Sequence, residues 1–379
     1  MKIARIRLYS VAVPYKGGAY VQAHGTVRAA ERVICELTTD DGAMGIGETA
    51  VVVPERGGET QKSVVTNITD TFAPAILGKD PSNISGIIED MGHRHQGMTG
   101  FLVTRALIDN ALYDLMGKVL GVPVHTLLGG IHRDHITVSR SLGVKEPGEM
   151  AKDALDRKAA GYAMITLKCG FDPRDDMNRV AAVRDAVGPD YLLEVDVNGG
   201  YSADVAVPVL KKMERFYDIR AVEQPVPWWD LDGMAKVAAA LHIPVIADES
   251  AWTAHDVYQI AQRKAADVVC LKVIKNGGFY LARQMAETAA ACGLGVSMGS
   301  KHPLGPGTAA ILHFAASMPM VSMPVGYGSP HERLVDDIIV ETIALENGCV
   351  PVPMGPGLGV NLDPEKIRKY QCAEPVVLE

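Results

Sequence analysis

The sequence predicts an α/β protein in which an eight-stranded (β/α) barrel follows a smaller α+β domain. From about residue 135, short β-branched runs alternate with alanine-rich stretches of helical period, as parallel strands with right-handed crossovers require. Before residue 125 the pattern instead alternates like antiparallel strands. The chain's 379 residues leave room for a full barrel plus a partner domain.

In residues 1–125, "IARIRLYSVAVPY" and "RVICELTTDDGAMGIGETAV" read as strands, with Asp40-Asp41-Gly42 as a turn inside the second. "FLVTRALIDNALYDLMGKVLG" reads as a helix stopped by Gly121. Residues 126–324 carry the barrel. Its strands are expected in "HITVSRS", "AMITLKCG", "YLLEVDVN", "IRAVEQP", "IPVIADES", "DVVCLKV", "GLGVSMGS" and "MVSMP", separated by helices such as "MAKDALDRKAAG" and "LARQMAETAAACG". The tail, 325–379, resumes short strand-like pieces such as "DIIVETIAL" and is expected to return to the first domain. A doubly wound sheet would place a glycine-rich phosphate turn after its first strand. "GIGE" at Gly45 and "GPGLG" at Gly355 lie in the wrong places for that and read as turns.

The net charge of −8 and the absence of a basic run argue against nucleic acid as a partner. No stretch of 18 apolar residues suggests a membrane span, and no apolar signal segment follows Met1. The 6 cysteines are scattered without a C-x-x-C pair, as reduced thiols in a cytoplasmic protein would be.

In a barrel of this kind the reacting groups stand at the C-terminal ends of strands. The last charged residues of strands 2 to 6 are Lys168, Asp196, Glu223, Asp248 and Lys272, at intervals of 28, 27, 25 and 24 residues (196−168, 223−196, 248−223, 272−248). Each interval is one βα unit, so the five groups ring one mouth. Three converging carboxylates repel one another, and a divalent cation relieves them. Oxygen ligands suit Mg²⁺, with Mn²⁺ as the alternative. Glu249 rivals Asp248 as a ligand or pairs with a lysine. Strands 2 and 6 lie opposite each other, so Lys168 and Lys272 would approach a substrate from opposite faces. A nearby cation would depress an amine from about 10.4 toward a value useful to a general base. Together these groups predict removal of a proton α to a carboxylate through an enediolate.

The chain resembles the mandelate racemase/muconate lactonizing enzyme branch of the enolase superfamily. The resemblance rests on "GETA", "ALYDLMGKVLGVPVHTLLGG", "TLKCG", "DVNGGYS", "VEQPV", "PVIADES", "CLKVIKNGG" and "GPGLGV". It implies an α+β capping domain, completed by the C-terminal tail, on a (β/α)7β TIM-like barrel. It also implies Mg²⁺ on Asp196, Glu223 and Asp248, with Lys168 and Lys272 as acid and base in the muconate lactonizing manner. Two departures stand out. A K-x-K on strand 2 becomes Thr166-Leu167-Lys168, leaving Thr166 free to bond substrate, and the acid expected after strand 7 is replaced within Ser300-Lys301-His302-Pro303. Lys301 and His302 are candidates to bind an anion or polar group. Asn198 and Lys275 are expected to orient the ligands or bases. Tyr20, His24 and Trp252 are candidate substrate contacts, and Pro14–Gly25, which carries the first two, and Val51–Gly58 are expected as the two loops of the cap.

The leading expectation is a racemase or epimerase of a small, amino-acid-like carboxylate, forming a homo-oligomer. A syn-dehydratase or a cycloisomerase is the alternative on the same groups. A Schiff-base lyase using Lys168 or Lys272, or a non-catalytic binding protein, would need no metal.

Overall fold

The computed structural model describes residues 1–18, 20–22, 25–51, 58–93, 100–328 and 330–379, with backbone alone at 20–22 and 25. Strand β1 (Ile3–Pro14), the hairpin strands β2 (Tyr20–Gln22) and β3 (Gly25–Val27), β4 (Ala29–Thr39) and β5 (Met44–Ala50) open the chain. β1, β4 and β5 form an antiparallel sheet, and the last strand of the chain, Val376–Leu378, adds to its edge beside β1. Burial along β1 changes parity between Leu8 and Val11. Ile6 and Leu8 therefore join the core under helix Leu102–Leu120, whereas Val11 and Val13 join one with Leu334, Ile338 and Ile367 of the tail. That helix lies directly on β5, where a Cβ at Gly47 would come within 2.2 Å of Leu107 O. It ends at Gly121, whose φ of 70° is the left-handed cap that glycine adopts without strain.

Eight parallel strands make the barrel: β6 (His135–Leu142), β7 (Met164–Lys168), β8 (Leu192–Asp196), β9 (Ala221–Glu223), β10 (Val245–Ala247), β11 (Val268–Leu271), β12 (Gly295–Met298) and β13 (Val325–Gly326). They pair in chain order from β6 to β12, and β13 pairs with β6. A parallel bridge from Val296 to Val321 joins β12 to the stretch before β13. Helices of 10 to 15 residues follow each of the first seven strands, and only the four-residue helix Pro330–Arg333 follows β13, so the architecture is (β/α)7β.

Two expectations about the C-terminal part are corrected. The eighth strand was expected in 320–324, but the paired residues are Val321 and, beyond that segment, Val325–Gly326. "DIIVETIAL" (337–345) forms no strand; Ile338 and Ile339 bury as single anchors, and only Ile339 bridges, to Leu362. The tail divides its pairing. β14 (Cys349–Pro351) lies antiparallel on β6, and β15 (Val376–Leu378) on the cap sheet.

Cap and barrel are tied by a buried clasp. Glu48 on β5 accepts the N–H groups of Leu304 and Gly307, both at 2.8 Å, at the start of helix Gly305–Ser317. Arg32 on β4 lies 3.3 Å from the same carboxylate and donates to the Lys301 carbonyl at 2.8 Å. The loop after β12 is thus held by a cap residue. Burial pushes the Glu48 carboxyl up to about 7 even though Arg32 and the two amides oppose the shift.

Glu48→Ala leaves a buried guanidinium and two helix amides without their acceptor, and is expected to cost about 3–5 kcal/mol in urea unfolding; a loss below 1 kcal/mol would mean that the clasp is incidental. A second prediction concerns His313 on the same helix. Its Nε2 donates to Leu358 O at 3.1 Å and its Nδ1 accepts from His125 N at 3.3 Å, and burial lowers it to about 4. Because the folded value lies below the unfolded value of about 6.5, this contribution is intact above pH 6.5 and is lost as pH falls toward 4, by up to about 3 kcal/mol. The acid limb of the stability profile should flatten in His313→Gln, and an unchanged slope would exclude His313 as its source.

Candidate active site

Alternate residues of a parallel barrel strand face inward. On β7 these are Met164, Thr166 and Lys168; on β8, Glu194 and Asp196; on β11 and just past it, Cys270 and Lys272. All of them line one cavity of about 430 Å³ beneath the cap. Lys168, Asp196 and Glu223 end their strands and stand in register, Lys168 beside Asp196 and Asp196 beside Glu223. Asp248 and Lys272 come one residue after β10 and β11. The strand order therefore sets one lysine on either flank of three acids, and Tyr15, Arg28, Arg32 and Val51 of the cap contribute to the same cavity.

Each flank is an ion pair. Lys168 bonds Asp196 and, at 2.9 Å, the Asn198 side-chain oxygen. Lys272 bonds Asp248 and lies 3.9 Å from Glu223. Lys275 donates to Asp248 Oδ1 and to its carbonyl, both at 2.7 Å, so one carboxylate sits between two ammonium groups. Asn198 links the flanks through its Nδ2, which donates to Glu249 at 2.8 Å. Glu249 thus pairs with an amide and not with a lysine, and its Oε2 is buried without a hydrogen-bond partner.

Five carboxyl groups (Glu194, Asp196, Glu223, Asp248, Glu249) share the site with the ammonium groups of Lys168, Lys272, Lys275 and Lys301. The excess negative charge appears as raised acids. Burial, and then the charges of Asp196 and Asp248, lift Glu223 well above the carboxylate range. Burial with Asp196 lifts Glu194 to about 7, and burial with Asp248 lifts Glu249 to about 7. Asp248 goes the other way: although burial opposes ionisation, Lys272, Lys275 and Lys301 hold it well below the usual value. Burial disfavours the charge of Lys272, but Asp248, Cys270, Glu223 and Glu249 together hold the amine well above its ordinary value.

The residues present fit a divalent cation. Carboxylate oxygens of Glu223 and Asp248 and the thiol of Cys270 lie within 4.8 Å of one another, and the Oε2 of Glu249, the residue after Asp248, is buried without a hydrogen-bond partner. Asp196 instead turns one oxygen to Lys168 and the other to the Asn198 amide at 2.9 Å.

The remaining candidates separate. Thr166 donates to Glu194 at 3.0 Å, on the cavity floor. Lys301 and His302 both line the cavity. His302, at a left-handed φ of 51°, accepts from Arg333 through Nε2 and meets Tyr15 OH at 3.3 Å through Nδ1, so Nδ1 carries its proton. Burial and the surrounding Arg333, Arg140, Arg32 and Lys168 keep this imidazole neutral, far below its usual value. Trp252 is packed, with its indole donating to Glu249 O at 3.1 Å and its ring under Lys275 at 5.6 Å, and it does not line the cavity. His24 lies outside the described residues, as does most of the Val51–Gly58 loop, and Tyr20 is described by backbone alone. Glu194, Cys270, Tyr15 and Arg333 were missed by sequence reasoning. The first two sit two residues before a strand-end group, a signal the alternation of the strand already carried.

Comparison with known proteins gives this geometry a family. Residues 5–129 match the mandelate racemase/muconate lactonizing enzyme N-terminal domain, and residues 149–366 match the enolase C-terminal domain-like profile. The chain is 33% identical to the L-Ala-D/L-Glu epimerase of Bacillus subtilis over 95% of this chain and 97% of that protein. It is 33% identical to muconate cycloisomerase 1 of Rhodococcus opacus over 89% and 90%. The crystal structure of the N-succinyl Arg/Lys racemase from Bacillus cereus superposes with a TM-score of 0.93 at 29% identity, covering all of both chains. A dipeptide epimerase from Enterococcus faecalis, solved with Mg and L-Leu-L-Tyr, superposes at 0.88 with 28% identity over 95% of this chain and 99% of that one. With both of its domains matched and its whole length superposed, the chain belongs to the mandelate racemase/muconate lactonizing enzyme family of the enolase superfamily.

Proposed function

We propose that this isomerase of the enolase superfamily removes and returns the α-proton of a small, amino-acid-derived carboxylate, racemising or epimerising it. The observation that carries the reading is the pair of ammonium groups, Lys168 and Lys272, on opposite flanks of the acids within one cavity. Asp196, Glu223 and Asp248 would hold Mg²⁺, or Mn²⁺ in its place. When bound, the ion supplies positive charge to the substrate carboxylate as negative charge grows there.

The chain's own residues do the rest. One lysine takes the proton from one face, and the other delivers a proton to the opposite face, which inverts the centre. A lysine must be unprotonated to accept a proton, and Asp248 holds Lys272 charged. Engaging the Asp248 oxygens elsewhere removes the strongest raising influence on that amine. Asn198 keeps Lys168 aimed, and Lys275 keeps Asp248 aimed. Relatives named for dipeptides and N-succinyl amino acids support an amino-acid derivative as substrate. Cycloisomerisation is the second reading, favoured by the similarity to muconate cycloisomerase.

Two outcomes test this. In D₂O with Mg²⁺, wild-type protein should exchange the α-proton of an N-acyl amino acid or dipeptide with inversion, followed by NMR. Lys168→Met and Lys272→Met should each lose exchange with one enantiomer by about 10²–10⁴-fold while keeping it with the other. Equal loss for both enantiomers in both variants would exclude a two-face mechanism, and ring closure without inversion would favour the cycloisomerase. Chelation should abolish exchange, and restoring Mg²⁺ to a hundredfold excess over its Kd should raise stability by about 2.7 kcal/mol. Full activity in EDTA with borohydride trapping of substrate would instead mark a Schiff-base enzyme.

A further inference from the structure

Cys270 is a thiol among oxygen ligands. It lies on β11 two residues before Lys272, so both side chains point into the barrel. It is 2% exposed, yet it lines the cavity. Its sulfur and the carboxylate oxygens of Glu223 and Asp248 are mutually within 4.8 Å, and among the described residues this is the one cluster of three potential ligands. Three adjacent strands, β9 to β11, supply the three atoms. Gly299, at the end of the next strand, keeps the sulfur accessible: a Cβ there would stand 3.1 Å from it and 2.5 Å from Lys272 Cε.

We propose that Cys270, with Glu223 and Asp248, forms a thiolate-containing seat for zinc-class divalent ions that competes with the hard ion at the same carboxylates. The proposal rests on the reading of Glu223 and Asp248 as metal ligands. Mg²⁺ takes oxygen donors and gains nothing from sulfur. Zn²⁺ and Cd²⁺ bind thiolate strongly, and a mixed sulfur and carboxylate set ranks them above Mg²⁺. On binding, one metal–sulfur bond forms and the thiol proton leaves to solvent; no electron is transferred. The ion takes the same Asp248 oxygens that Mg²⁺ would engage and that Lys272 now bonds, so the two kinds of ion exclude each other at this carboxylate. The same centre thereby discriminates between ions by the softness of one ligand, and zinc-class ions inhibit the reaction that Mg²⁺ supports.

The test uses the full chain stripped by chelator and titrated with Cd²⁺ alone. Wild-type protein should gain a saturable near-ultraviolet thiolate-to-cadmium band at one equivalent per chain, reversed by a large excess of Mg²⁺. Cys270→Ser should lose that band, and its Zn²⁺ to Mg²⁺ affinity ratio should fall at least tenfold. A band of equal size in Cys270→Ser, or an unchanged ratio, overturns the proposal. X-ray absorption of zinc-loaded wild-type protein is independent of any variant's folding: one sulfur at about 2.3 Å supports the seat, and an all-oxygen shell excludes it. These readouts detect metal and not turnover. Absence of α-proton exchange would refute the proposed reaction while leaving the thiolate seat standing, and the reverse outcome is equally distinguishable.

Discussion

The constraint on which the rest of the structure depends is the crowding of carboxylates at the barrel mouth. Like charges in a buried site raise one another's pKa and work against folding unless something offsets them. Here the ammonium groups of Lys168, Lys272, Lys275 and Lys301 provide part of the offset. Burial and mutual repulsion raise Glu194, Glu223 and Glu249, while Asp248, between two lysines, is held well below the usual value. In the proposed function, a divalent cation on these carboxylates would offset the same repulsion with two charges at one point, and would leave Lys168 and Lys272 less tightly held by the acids.

Such a centre needs a rigid frame and a cover. The barrel supplies the frame through register, since parallel pairing sets Lys168 against Asp196 and Asp196 against Glu223 with no loop intervening. The cover is anchored by Glu48 and Arg32, which bind the backbone of the loop after β12. That loop carries Lys301 and His302 into the cavity, so the residues above the acids are placed by the cap as much as by the barrel. His302, neutral and fixed between Tyr15 and Arg333, joins three distant segments of chain around the cavity.

The ring of strand-end groups was legible because a (β/α) unit has a nearly constant length, which turns sequence spacing into position around a circle. The layer below was equally present in the alternation of each strand. Glu194 and Cys270 were passed over because only the last charged residue of each strand was read. Other features lay outside any local pattern. Tyr15 meets His302 from 287 residues away and Arg333 meets it from 31, and neither separation belongs to a repeating period. The eighth strand was misplaced because its pairing needs two residues and one bridge, too short a signal for a period to register.

The departure from K-x-K on strand 2 now has a physical setting. A lysine at 166 would point at Glu194, its cross-strand neighbour. Thr166 gives that carboxyl a hydrogen bond but no charge, and Glu194 rises to about 7, in hydrogen-bonding contact with Glu223 above it. The floor of the cavity therefore carries a weak acid in place of an ammonium–carboxylate pair. Lys168 has no cationic neighbour at 166, and it bonds Asp196 and Asn198. In the proposed reaction, an uncharged donor at 166 would leave the proton affinity of Lys168 dependent on what engages the neighbouring carboxylates, where a second lysine would act on it permanently.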